Sequence, residues 1–187
     1  MFARPGFAAC VPLLIASFFG CHAIEEEASR APEVREVETV LDRLYDAFGF
    51  DAGGEADWST MRSLFAEGAT FVSPIRDGGA ARGVGTDRFL ADFRDWVTTG
   101  DVRETGLQER ITHVRVDAFG NVAHAWVVFE GFVPGEEARR TYGLDSLQLI
   151  RDEGAWKVIS FTSQYTDGKR DMPDRFVHPA FAWRERP

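Results

Sequence analysis

At 187 residues, with 44% hydrophobic and 13% aromatic side chains, the chain is long enough for one well-packed domain with short extensions. Acidic residues outnumber basic ones, 30 to 21, for a formal charge of -9. No Lys/Arg stripe with interleaved aromatics occurs, which argues against a nucleic-acid partner. His22, His113, His124 and His178 form no i, i+4 pair and no cluster with cysteine, so neither a metal site nor a cofactor is expected.

Residues 1–20 carry an early positive charge at Arg4 and an apolar run from Phe7 to Phe19, too short to span a bilayer. This pattern predicts an export signal. The Gly20-Cys21 junction resembles a bacterial lipoprotein processing site, which implies a lipid-bearing Cys21 and a cell-envelope location; an ordinary cleaved signal and no export are the alternatives. Cys10 would leave with the signal, so Cys21 has no internal disulfide partner. Residues 21–32, with three consecutive glutamates, read as a flexible acidic tether.

The domain proper is expected over residues 33–166. Val34, Val37, Leu41, Leu44, Tyr45 and Phe48 recur at helical spacing, opposite Glu and Arg. A glycine-rich break precedes "DWSTMRSLFAEG", a short helix with Asp57 as N-cap and Gly68 at its end. "ATFVSP" reads as a strand stopped by Pro74, "IRDGGAARGVG" as a loop, and "DRFLADFRDWVTTG" as a third helix capped by Thr86 and stopped near Gly100. Its "RGVG" lead-in lacks the Lys-Ser/Thr signature of a phosphate loop.

Beyond that point the period changes to two. "GLQERITHVRVD", "NVAHAWVVFEGFV", "RRTYGLDSLQLIR" and "AWKVISFTSQYT" are β-branched and aromatic, and short turn sequences separate them. Four antiparallel strands in a meander follow, so the fold class is α+β, with helices covering one face of a curved sheet. Residues 167–187 form a tail without sustained period; its Phe176, Phe181 and Trp183 either cap a pocket or dock on a neighbour.

The order of "MRSLFAEGATFVSP", "RGVGTDRFLADF", "NVAHAWVVFEGF" and "GLDSLQLIRDEGAWKVI" resembles the nuclear-transport-factor-2-like superfamily, especially its polyketide-cyclase-like and calcium/calmodulin-kinase-association-like branches. The resemblance covers roughly Val34 to Thr166. It implies a cone-shaped α+β fold in which a curved antiparallel sheet encloses a pocket, and often a homodimer through the sheet. It does not by itself imply a reaction, because the superfamily includes isomerases, dehydratases, cyclases and non-catalytic members.

Within that architecture, alternation puts Asp145 on the concave face with Leu147 and Leu149. Ala123, Ala125, Val127 and Phe129 on one neighbouring strand, and Ile159, Phe161, Ser163 and Tyr165 on the other, should share that face. Burial would raise the Asp145 pKa and keep the group protonated as a hydrogen-bond donor to a substrate oxygen. In the ketosteroid-isomerase branch the oxygen-stabilising aspartate falls on Asp145, the general base on Ser73 and the helical tyrosine on Leu44. Tyr45 lies one residue along, rotated by about 100°.

The expected catalytic residues are therefore Asp145 and Tyr165, with Tyr45, Ser73, Phe129, Phe161 and Ser163 contacting a small hydrophobic ligand. Two readings compete with this one. Asp145 is then a structural carboxylate held by a neighbouring hydroxyl, or the whole chain is a non-catalytic envelope domain that binds a partner through the outer sheet face bearing His124 and Trp126.

Overall fold

The structure is a computed structural model and describes residues 31–73, 80–136, 140–166 and 171–183. The export signal, Cys21 and all but the last two residues of the acidic tether lie outside them. Among the described residues no helix is long and apolar enough to cross a membrane.

Helix α1 (Pro32–Phe48) forms where the apolar stripe lies, and Val37, Leu41 and Leu44 on that stripe are wholly buried. Each such side chain contributes about 1.5–3 kcal/mol of burial, which is what pins the helix to the sheet. Asp57 caps α2 (Trp58–Leu64): its Oδ1 accepts from the Thr60 backbone N–H at 2.9 Å and from Ser59 Oγ at 2.8 Å. The Thr60 N–H is the main reason that carboxyl is held down at about 2.

Two boundaries differ from the sequence reading. Helix α2 stops at Leu64 and β1 (Phe65–Val72) begins at once, so Gly68 ends no helix. With φ of 75° it occupies an irregularity between Phe65 and Thr70 that only glycine enters cheaply. Part of the expected loop forms a short strand, β2 (Gly83–Gly85), and Gly85 rather than Thr86 occupies the N-cap of α3 (Thr86–Thr99). A single helical turn, α4 (Val102–Thr105), leads into the meander.

The meander consists of β3 (Gln108–Phe119), β4 (Val122–Phe132), β5 (Thr141–Asp152) and β6 (Ala155–Tyr165). The six strands are ordered β2-β1-β6-β5-β4-β3. All pairings are antiparallel except β1 with β6, which is parallel, so the sheet is mixed rather than wholly antiparallel.

Bulges decide which residues face the helices. In β3 the register slips between Ile111 and His113, so Glu109 and Ile111 share a face with Val114 and Val116. In β6 an extra residue falls between Val158 and Ser160, the partners of Leu149 and Gln148. This removes Ile159 from the concave face, where unbroken alternation had placed it. Trp156, Val158, Phe161, Ser163 and Tyr165 take that face instead. Each bulge also bends its strand, which a sheet wrapped around helices requires.

The tail packs back on its own domain, along the edge of β3 and on the outer face at Trp126. Ala182 bridges His113, the Trp183 N–H donates to the Thr112 carbonyl at 2.7 Å, and Phe176 meets Trp126 at 5.2 Å between ring centroids.

Gly143 lies opposite Phe129, and a β-carbon built there would fall 2.3 Å from the phenyl ring. Gly143→Ala should therefore push Phe129 off its site and destabilise the domain by about 1–3 kcal/mol, seen as a lower Tm. An unchanged Tm would mean that Phe129 does not rest on the bare backbone.

Candidate functional site

Beneath the helices the concave face leaves a cavity of about 330 Å³. Its walls are mostly aromatic. Phe71 and Phe89 stack at 4.2 Å, and Phe48 and Phe161 close the same side at 6.3 Å. Phe129 faces them, edge-on to Tyr165 at 5.7 Å. Six polar side chains interrupt this lining: Ser73, Asp92, Glu109, Asp145, Ser163 and Tyr165.

Asp145 is 1% exposed and lies between Val127 on β4 and Ser163 on β6. Both of its oxygens are engaged: Tyr45 Oη donates to Oδ2, and Ser163 Oγ donates to Oδ1 at 2.5 Å. Burial pushes its pKa up to about 7, and the two donors keep it from rising further. Two sequence-level readings thus meet in one residue, since Asp145 is held by neighbouring hydroxyls and also lines the cavity.

The structure distributes the other expected residues unevenly. Phe129, Phe161, Ser163 and Tyr165 line the cavity with Asp145, and Ser73 lies exposed at its edge. Tyr45 does not line it. Its ring is 2% exposed and its hydroxyl is spent on Asp145, so it positions that carboxylate instead of touching a ligand. Burial and the Asp145 charge raise its pKa well above the ordinary tyrosine value, which keeps it a donor. Leu44, on which the resemblance had placed the helical tyrosine, is wholly buried, and the adjacent turn position brings Tyr45 to the carboxylate. Tyr165 is 40% exposed, yet partial desolvation, followed by the Glu109 and Asp145 charges, raises its pKa and leaves a neutral phenol at the cavity wall.

Sequence reasoning missed Glu109. It lies on the edge strand β3, opposite Gly131, and reads there as one of several charged residues in "QERITHVR". Its carboxyl has no hydrogen-bond partner among the described residues. The residue is half-buried, and loss of water around its carboxyl, with the Asp145 charge second, pushes its pKa up to about 8. Only the bulge at Thr112 turns it inward, and no residue type in that stretch announces a bulge. Among the described residues no group of three or more His, Cys, Asp or Glu is placed to hold a metal ion.

No family model matches the chain, and no curated protein sequence matches it. Solved structures do resemble it. A nuclear-transport-factor-2-like protein of unknown function from Pseudomonas putida KT2440 aligns at 13% identity over 78% of this chain and 98% of its own, with a TM-score of 0.60. A protein of unknown function with a cystatin-like fold from Nostoc punctiforme PCC 73102 aligns at 13% identity over 74% and 94%, with a TM-score of 0.58. A further nuclear-transport-factor-2-like protein of unknown function, from Methylobacillus flagellatus KT, aligns at 22% identity over 73% and 94%, with a TM-score of 0.50. At these identities the likeness is one of fold.

Asp145 and Glu109 both hold protons more tightly in the folded chain than in the unfolded one, where carboxyls titrate near 4. Their contribution to stability is fully present below about pH 4 and is lost as pH rises through about 7 to 8. Chemical denaturation should therefore give a lower unfolding free energy at about pH 9 than at about pH 5. Glu109→Gln should recover roughly 1–3 kcal/mol of that loss; a variant with the wild-type pH slope would place Glu109 in water.

Proposed function

We propose that this chain, which has the nuclear-transport-factor-2-like fold, is an exported small-molecule-pocket protein that carries out cofactor-free acid–base chemistry. The reaction class is an isomerase, dehydratase or cyclase step on a carbonyl-containing or cyclic compound. One observation carries the reading: the cavity is walled by aromatic rings, yet Asp145 lies buried in it with a pKa near 7. Burying a carboxyl costs several kcal/mol unless it is paired, and a structural role alone would be met more cheaply by an apolar residue. Values near the working pH suit a group that exchanges protons with a ligand.

At native packing density the volume admits a ligand of roughly 10–15 non-hydrogen atoms. The Tyr165 phenol and the Ser73 hydroxyl supply further polar contacts from the wall. The rival reading, a binding module working through the outer sheet face, has less support. That face carries Arg115, Asp117, His124, Ser146 and Gln148, and the tail already covers Trp126.

Small cyclic ketones such as indanone and tetralone, incubated in D2O with the full chain, should gain deuterium beside the carbonyl faster than in buffer. Asp145→Asn should slow this by about 100-fold or more with the fold intact by circular dichroism, and Tyr165→Phe by about 10-fold. Equal exchange in wild type and Asp145→Asn would remove the catalytic claim.

The export signal over residues 1–20 and a lipid on Cys21 belong to the same proposal, resting on the apolar run and the Gly20-Cys21 junction. Radioactive fatty acid fed to expressing bacteria should label the wild-type chain and leave Cys21→Ala unlabelled. Label in both would rule out that anchor.

A further inference from the structure

Resting on the acid–base reading above, we propose that Glu109 is the proton donor and Asp145 the proton acceptor of the cavity, acting together on a neutral, enolisable carbonyl compound. This reverses the role that the resemblance suggests for the aspartate.

Hydrogen-bond geometry separates the two carboxyls. Asp145 receives an O–H from Tyr45 on one oxygen and an O–H from Ser163 on the other. Both bonds favour the ionised form, since a carboxylate accepts and a neutral acid must place its own proton where a donor already points. Glu109 lines the same cavity, and no group among the described residues donates to it. When a single negative charge is present it settles on Asp145, and that charge then holds the proton on Glu109 across the cavity. Among the described residues, the other titratable groups that line this space are Asp92 from α3 and Tyr165 from β6, and Tyr45 from α1 stands behind Asp145; both tyrosines stay neutral, and Asp92 is drawn outward by Arg88 Nε at 2.8 Å.

The chemistry then balances. Asp145 takes a proton from the carbon beside the carbonyl, the carbon–hydrogen electron pair becomes the enol double bond, and Glu109 gives its proton to the carbonyl oxygen. Return of the proton from Asp145 to the same or a conjugated carbon, with recovery of the O–H proton by Glu109, restores both groups. The cavity carries one negative charge throughout, so no step creates a second charge in a medium that solvates charge poorly. A carboxylate-bearing ligand would add that second charge, so acidic substrates are disfavoured.

The decisive measurement is a ¹³C NMR titration of the full chain labelled at the Asp and Glu carboxyl carbons, which needs no substrate. A Glu signal titrating near pH 8 should vanish in Glu109→Gln and shift down by about one unit or more in Asp145→Asn, while an Asp signal titrates before it. Glu109 titrating before Asp145, or in the ordinary carboxylate range, overturns the assignment even if ketones exchange. The expected order without exchange of any ketone supports the charge assignment and overturns the enzymatic reading on which the roles rest. With turnover in hand, Glu109→Gln, which keeps an N–H donor but has no proton to transfer, should slow exchange by about 100-fold and abolish the alkaline limb of the pH profile; an unchanged alkaline limb counts against Glu109 as donor.

Discussion

The site depends on one arrangement: a carboxyl group fixed by two hydroxyls at the floor of an aromatic hollow. Tyr45 reaches Asp145 from the first helix and Ser163 reaches it from the neighbouring strand, so helix and sheet are tied together at the point where burial of charge is most costly. Without those donors the acid would be an unsatisfied polar group among phenylalanines, and the apolar walls would favour its removal. With them it is retained at a pKa where small changes of environment decide its charge.

The rest of the domain serves this arrangement mechanically. Bulges at Thr112 and Ile159 bend the strands toward the helices and reset the faces, which brings Glu109 in and sends Ile159 out. Gly143 lets the Phe129 ring lie against bare backbone, which leaves the space above it open. At the same end of the sheet but on its opposite face, Arg110 and Arg140 neutralise the buried Glu130 outside the cavity, with Arg140 Nη1 2.7 Å from Oε2. That carboxylate is structural, whereas within the cavity Asp145 is paired with hydroxyls and Glu109 with no group among the described residues.

A comparison of Tyr45 with Glu109 shows how legible such a site is from sequence. Tyr45 was visible as a core-facing aromatic, and only its partner was uncertain, because a rotation of about 100° between adjacent helical residues separates a useful direction from a useless one. The seating of α1 on the sheet settled that direction. Glu109 was not visible at all, because period-2 counting fails across a bulge and a glutamate in a polar edge strand looks solvated.

Helical stripes, the change to period two, the turn signals and the Asp57 cap are local properties, and each was readable from neighbours in the chain. Local periodicity was also enough to give the α+β class, the four-stranded meander and the inward direction of Asp145. Contacts between residues far apart in the chain were not readable: the parallel pairing of β1 with β6, the Tyr45–Asp145 hydrogen bond and the placing of Glu109 in the same cavity. Such contacts depend on register and on how one element seats against another, and a single inserted residue in a strand changes both without altering the composition that sequence patterns report.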